Sequence, residues 1–335
     1  MPLKSLSPLY GKKVLLLTHS GADVDSFGSA AAIQFSLKGK ANAVIGVPDH
    51  LNLPSKAFAE RIRADYEINP PFRNFGAIVC LDYNKASMLG SLKSAFDSFE
   101  GEKFLIDHHV PEKERLAPEK NSLQSKDAIS TTELVYSLLK KSRMKIPKKA
   151  LECIAAGIVT DSAGFLVADH KTFSIMAEVM RAAGISYGSL VSLFSVEKDL
   201  SQKIAALKAA RRCRIYKSRE SIFVSSDVGA FEADSATALI RVGADVAFCG
   251  YAEKGKIRVS GRVNNSWLRE KKFDLARDVF NRLKEFFEGE GGGHPGAAGF
   301  NGSGGNIAPV LEKCIALAHE FNSRNEKNAE LKEYP

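Results

Sequence analysis

Apolar residues in this chain come in short unbroken runs, set apart by longer stretches with helical spacing. Val14-Leu15-Leu16-Leu17, Ala77-Ile78-Val79-Cys80-Leu81 and Phe104-Leu105-Ile106 are such runs. They are too short for helices, and apolarity on consecutive residues is the mark of strands buried on both faces. The pattern predicts strands over 13–19, 42–47, 77–82 and 103–107, with helices over 26–37, 55–63 and 85–96. That alternation makes an α/β fold with a doubly wound, mostly parallel sheet and helices on both faces. Ser130-Thr131-Thr132-Glu133 is a capping-box pattern opening a helix, and further helices are expected over 149–159, 171–183 and 187–194.

Beyond that the pattern changes: helix 204–216, strand 222–226, helix 235–242, strands 245–252 and 256–263, helix 275–287, a glycine-rich element at 291–299 and a helix over 307–321. This reads as a smaller α/β domain around a mixed sheet. The expected organisation is an N-terminal domain at 1–195, a linker at 196–204, a C-terminal domain at 205–325 and a frayed tail at 326–335. The active-site cleft is expected between the domains.

At 335 residues the chain is long enough for two cores. A net charge of +8 and a pI near 9.1 favour an anionic partner such as nucleic acid, nucleotide or phosphate. The basic runs at 140–149 and 211–219 read as solvated helix faces. The five cysteines are scattered and form no CxxC pair, which argues for free thiols in a reducing compartment and against a zinc finger. The apolar run Val14 to Leu17 is too short for a signal sequence or a membrane span, so a cytoplasmic protein is expected.

His19, Asp23 and Asp25 fall on one turn between a strand end and a helix start. Asp25 alone would pass as the cap of that helix, but His19 and Asp23 have no such explanation. Free N–H groups at the helix start, with Gly28 and Ser29 leaving room, would suit an anion. Asp82 ends the third strand and Asp107-His108-His109 ends the fourth, at the rim where open parallel sheets bind ligands. Asp161 follows a helix, where its charge opposes the dipole and asks for a cation. Imidazoles and carboxylates without a thiolate suit Mn²⁺, with Mg²⁺ or Co²⁺ as alternatives. So many carboxylates would overcharge one ion. Two ions sharing an Asp, about 3.5–4 Å apart, would activate water for in-line displacement at phosphorus. The glycines around His294 would let N–H groups converge on an anion, and Arg262 would supply a bidentate phosphate grip.

In their order and spacing, His19-x3-Asp23-x-Asp25-x2-Gly28-Ser29, Asp82, Asp107-His108-His109 and Thr160-Asp161 resemble the four motifs of the DHH phosphoesterase superfamily. Gly291-Gly292-Gly293-His294 with Ala297-Ala298-Gly299 resembles the substrate-binding signature of the DHH-associated C-terminal domain, found in RecJ-type exonucleases and the nanoRNase/pAp-phosphatase branch. The resemblance implies two ions, one held by His19, Asp23 and Asp82, the other by Asp25, Asp82, His108 and Asp161. Asp107 would orient the histidines and His109 would face the scissile phosphate. Ser260, Arg262, Gly292, Gly293 and His294 would grip a terminal nucleotide or phosphate. Two departures stand out: Gly261 where a bulkier residue is expected, and Ser20-Gly21-Ala22, a loose version of the first motif.

The two-domain length is similar to that of the nanoRNase branch. The expected activity is Mn²⁺-dependent release of nucleoside monophosphates from short single-stranded RNA or DNA, with no membrane partner and a homodimer left open. The alternatives are a phosphatase for 3′-phosphoadenosine 5′-phosphate or a cyclic dinucleotide, and a non-catalytic replication scaffold. A family II inorganic pyrophosphatase shares the first domain but has a different C-terminal signature. Scaffold relatives lose metal ligands, and every ligand position here is filled.

Overall fold

The unbroken apolar runs are strands with a core on each face. In β1 (Lys13–Leu17), Val14 and Leu16 belong to one core, and Leu15 and Leu17 to another, because successive side chains leave a strand on opposite sides. The computed structural model describes residues 3–324 and 330–334 and divides into two units, Met1–Val196 and Glu197–Pro335.

In the first unit β1 is followed by α1 (Val24–Leu37), β2 (Asn42–Val47), α2 (Leu53–Ile62), β3 (Tyr66–Ile68), β4 (Ala77–Leu81), α3 (Lys93–Asp97), β5 (Glu102–Asp107), β6 (Ser122–Gln124), α4 (Thr131–Lys141), α5 (Lys148–Asp161), α6 (His170–Ala183) and α7 (Tyr187–Ser192). All the strands are parallel, in the order β3-β2-β1-β4-β5-β6. Chain order reverses at β1, so the carboxyl ends of β1 and β4 form the crevice where such sheets take ligands. β3 and β6 escaped the sequence pattern because three residues are too few to show a period.

The helix expected over 85–96 is broken: a 3₁₀ segment, Ala86–Leu92, runs into α3 across Gly90, whose φ is 52°. A Cβ there would collide with Asp49 Oδ2, so glycine is required and the helix cannot run through. α1 packs against α5 at main-chain distance, since a Cβ on Gly28 would lie 3.0 Å from the Cys153 carbonyl oxygen.

The second unit contains α8 (Leu200–Arg212), β7 (Arg214–Ser218), β8 (Ser221–Asp227), α9 (Glu232–Val242), β9 (Val246–Glu253), β10 (Lys256–Val263), α10 (Asn265–Lys271), α11 (Asn281–Leu283) after a π-helical turn at Ala276–Phe280, β11 (Gly289–His294), β12 (Ala297–Ser303), α12 (Ala308–Asn322) and β13 (Leu331–Tyr334). The sheet order is β11-β12-β10-β9-β8-β7-β13, with β8 and β9 parallel and the other pairs antiparallel.

Several expectations change here. The helix placed at 204–216 begins earlier, because Asp199 and Gln202 form a reciprocal capping box. It stops at Arg212, and residues 214–218 pair with β8 instead. The helix at 275–287 shrinks to the π turn and α11. The glycine-rich element is a hairpin, not a loop, with His294 paired to Ala297 across the Pro295-Gly296 turn. The tail at 326–335 is not simply frayed. Leu331–Tyr334 pairs with β7, and Glu333 takes a forked bond from Arg214 at 2.7 and 2.9 Å; positions 325–329 and 335 lie outside the described residues. Among the described residues no helix is long and apolar enough to cross a membrane.

Candidate metal centre

Four chain segments deliver carboxylates and imidazoles to the carboxyl rim of the first sheet. His19 follows β1, Asp82 follows β4, Asp107 closes β5 with His108 and His109 beyond it, and Asp161 is the last residue of α5. Ligand atoms of His19, Asp23 and Asp82 lie within 4.8 Å of one another, and so do those of Asp25, Asp82, His108 and Asp161. A third set, Asp82, His108 and His109, meets the same limit, so Asp82 belongs to every set; the first two are the groups that could each hold an ion. The φ of Asp82 is 68°, a left-handed conformation that Asp tolerates better than most residues.

The two groups are built differently. Asp25 is wholly buried in the first turn of α1. Its carboxylate accepts from Thr131 N at 2.6 Å, Thr132 N at 3.0 Å and Thr132 Oγ1 at 2.6 Å. The start of α4, whose N–H groups have no partner within the helix, is spent on this acid. Thr131 Oγ1 donates to Asp82 Oδ1 at 2.8 Å. Gly157 makes the room: a Cβ there would sit 2.5 Å from Asp25 Oδ1. The cap of α1 is Asp23, which accepts from Ser26 N at 3.0 Å. The capping role considered for Asp25 therefore falls to Asp23, whose side chain is 44% exposed.

The imidazoles are set by their other nitrogens. A carbonyl can only accept, so His19 Nδ1 donates to Ser20 O at 2.9 Å and His108 Nδ1 to Ala128 O at 3.4 Å. Each leaves Nε2 toward the acids: His19 Nε2 is 4.0 Å from Asp23 and 3.9 Å from Asp82, and His108 Nε2 is 3.2 Å from Asp161 and 3.4 Å from Asp82. His109 differs. Its Nδ1 donates to Asp107 Oδ1 at 2.7 Å, and Gln124 Nε2 donates to Asp107 Oδ2 at 2.8 Å. Asp107 thus orients His109 alone, because the Ala128 carbonyl takes the place expected for it at His108. His109 Nδ1 also lies 3.8 Å from Asp82, but its bond to Asp107 commits that nitrogen elsewhere.

Electrostatics shows that the cluster is unbalanced. Burial, then the Asp161 charge, pushes Asp25 up to about 7. Burial, then Asp25, Asp23 and Asp161, pushes Asp82 well above the carboxylate range. Burial works against a charged His108, yet the Asp161 hydrogen bond and the Asp25 charge push it to about 9. Burial also works against a charged Asp107, but its bonds from His109 and Gln124 hold it below the ordinary range. Among the described residues only histidines pair with Asp23, Asp82 and Asp161, and no basic side chain pairs with Asp25. Burying an ionised carboxylate costs several kcal/mol, and a hydrogen bond to a charged acceptor returns about 1.5–3 kcal/mol. Three donors go far toward stabilising Asp25, while the single Thr131 bond leaves Asp82 short. A divalent cation would balance these charges, and the oxygen and nitrogen atoms of the donor set are suited to hold one.

The remaining sequence candidates divide. Gly28 and Ser29 are buried in α1, and Gly28 faces α5, so neither is open to an anion; the small side chains serve helix packing. In the second unit, Ser260, Gly299 and Gly292 lie opposite one another across β10, β12 and β11, and Arg262, Ala297 and His294 form the next such row. Directly paired residues share a sheet face, so Ser260, Arg262 and His294 border a floor without side chains at Gly292 and Gly299. Burial lowers the Arg262 pKa, and its Nη1 reaches only the Gly261 carbonyl at 2.8 Å. Gly261 itself is explained by packing: a Cβ would lie 2.8 Å from the Phe280 ring. Thr131, Thr132, Gln124 and Gly157 were not recognised as parts of the site. The capping pattern exposed the helix start but not the acid it would serve.

Residues 13–158 match the DHH family, N-terminal domain, and residues 236–322 match the DHHA1 domain. An uncharacterized protein of Methanocaldococcus jannaschii is 30% identical over 308 residues, covering 89% of this chain and 90% of its own. In fold, the chain is similar to an exopolyphosphatase-related protein from Bacteroides fragilis, with a TM-score of 0.60 at 19% identity, covering 93% and 92% of the two chains. Both matched domains and the long relative lead to one assignment: the chain belongs to the DHH phosphoesterase superfamily, a group of metal-dependent phosphoester hydrolases.

Proposed function

We propose that this protein is a Mn²⁺-dependent phosphodiesterase that releases nucleoside monophosphates from short single-stranded oligonucleotides. The observation that carries the reading is the double membership of Asp82 in two ligand groups. His19, Asp23 and Asp82 would hold one ion, and Asp25, Asp82, His108 and Asp161 the other. Such a pair supplies an activated water and neutralises charge on the attacking and leaving oxygens of an in-line displacement.

The chain's own residues do the rest. Thr131 and Thr132 hold Asp25 in place and favour its ionised form, so the site need not reorganise as charge develops. His109, half exposed and fixed through Nδ1 by Asp107, presents its other nitrogen as donor to the phosphate or as acid for the leaving oxygen. That role needs a proton on Nε2 as well as on Nδ1. In the second unit, the half-buried Arg262 guanidinium, which gives one N–H to the Gly261 carbonyl, would turn its others to a phosphate, His294 would add a donor, and the floor at Gly292 would admit a flat base. The net charge of +8 favours a polyanionic substrate.

The test is to incubate the protein with Mn²⁺ and end-labelled RNA and DNA ladders, beside 3′-phosphoadenosine 5′-phosphate, cyclic dinucleotides and polyphosphate. Stepwise shortening of the ladders with release of monophosphates is expected. Turnover of a small nucleotide or polyphosphate with intact ladders would replace this reading.

A further inference from the structure

Four loops that follow β1, β2, β3 and β4 are tied together beside His19. Asp49, at φ 56°, accepts the Ser20 hydroxyl on Oδ2 at 2.6 Å. Its own N–H donates to Asn69 Oδ1 at 2.8 Å, and the Ser91 hydroxyl donates to the same oxygen at 3.0 Å. Asn69 is itself left-handed, at φ 49°, and Gly90, at φ 52°, clears the space that Asp49 Oδ2 fills. Ser20 N donates to Met88 O at 2.8 Å, and Gly21 N to His50 O at 3.0 Å. Asp and Asn adopt a left-handed φ more readily than most residues, and the bond from Asp49 N to Asn69 joins two such positions. Here Asn69 holds Asp49, and Asp49 holds Ser20.

That serine lies between the brace and the site. Its N–H and hydroxyl face Met88 and Asp49, while its carbonyl receives His19 Nδ1 at 2.9 Å. Turning the Ser20 peptide would turn the imidazole. We propose that Asp49 is a positioning residue which, through Ser20, aims His19 Nε2 and sets the affinity of the His19, Asp23 and Asp82 group for its ion. This rests on the two-ion reading above. It also gives a reason for the loose first motif: Ser20 supplies the hydroxyl, and Gly21 the φ of 68° at which its N–H meets the His50 carbonyl.

The effect is confined to one ion. The Asp25, Asp82, His108 and Asp161 group is fixed by α4 and the Ala128 carbonyl, with no hydrogen bond to the brace.

Calorimetric titration of the full chain with Mn²⁺ tests this, with His19→Ala identifying which ion is which. Asp49→Ala should weaken the His19 ion by about tenfold, the lower end of effects from residues behind a ligand, and leave the other unchanged. Asp49→Asn should restore it, because the amide oxygen still accepts from Ser20 and Asn tolerates a positive φ. Ser20→Ala should match Asp49→Ala, and the double variant should be no worse than either. If Asp49→Ala does not fold, Ser20→Ala and Asp49→Asn carry the comparison. Equal weakening of both ions, of neither, or failure of Asp49→Asn to restore binding overturns the brace. A single ion in the wild-type chain overturns the two-ion reading instead.

Discussion

In the first unit, side chains carry the chemistry and buried hydrogen bonds hold them; in the second, a hairpin offers main chain, with side chains only at its borders. Asp25 has three donors and no freedom, whereas the floor at Gly292 and Gly299 has no side chain to fix. The difference follows from the task each surface suits. A charged centre must not reorganise, so its supports are buried and specific. A surface for flat bases needs clearance and a few anchoring donors. Substitutions in the first unit should therefore act on every substrate, and substitutions in the second only on those with a nucleotide to seat.

The largest effect should come from Asp82→Asn. Asn keeps the shape and the left-handed φ of 68° but removes the shared charge, so hydrolysis should fall by more than about 100-fold on all phosphoesters. Thermal melts check the cause. Mn²⁺ at about 100 times its Kd should stabilise the wild type by about 2.7 kcal/mol, a rise of about 5–10 °C, and the variant should lose that rise. A variant that keeps near wild-type turnover would refute a shared ligand.

Next should come Gly157→Ala. Its Cβ would enter at 2.5 Å from both Asp25 Oδ1 and Thr132 Oγ1, and overpacking of this kind costs about 1–3 kcal/mol. Because the displaced atoms belong to the site, activity should drop more than stability. Denaturation midpoints beside kcat on a generic diester would show the disparity, and a stability loss with full activity would contradict it.

Arg262→Ala and His294→Ala should behave differently from both. Each removes one donor to a charged group, worth about 1.5–3 kcal/mol, so KM for oligonucleotides should rise about tenfold or more. Bis-p-nitrophenyl phosphate, which has no nucleoside, should be hydrolysed as before. Equal losses on both substrates would contradict a nucleotide-gripping role.

The first unit was legible because its sheet is buried on both faces and its acids stand at strand ends. β2 falls on the residues the pattern gave it, 42–47, and in the second unit β10 does the same at 256–263. What escaped depends on contacts distant in sequence. Nothing near Gly90 announces that Asp49 will fill its Cβ position, and nothing near Thr132 announces that its amide and hydroxyl will serve an acid 107 residues away. Gly28 and Ser29 were misread for the same reason, since small residues at a helix start suit an anion and a neighbouring helix equally well. In the second unit the glycine-rich element was given no strand, because glycine is depleted in strands; pairing with β12 outweighs that preference.

The smallest effect should separate two adjacent glycines of the hairpin. Gly293 has φ 138°, and a Cβ there would lie 2.6 Å from Ala298 Cα and 2.7 Å from the Ala297 carbonyl oxygen. These are main-chain atoms that cannot swing aside, so Gly293→Ala should lower the melting temperature. A Cβ on Gly292 meets nothing within 4 Å, and a surface change of this sort usually alters stability by less than about 0.5 kcal/mol. Gly292→Ala should therefore melt as the wild type does. If a base rests on that floor, the added methyl group stands where the base must lie, and KM for a dinucleotide should rise a few-fold while bis-p-nitrophenyl phosphate is unaffected. An unchanged dinucleotide KM would move the base off Gly292 and leave Arg262 and His294 gripping only a phosphate.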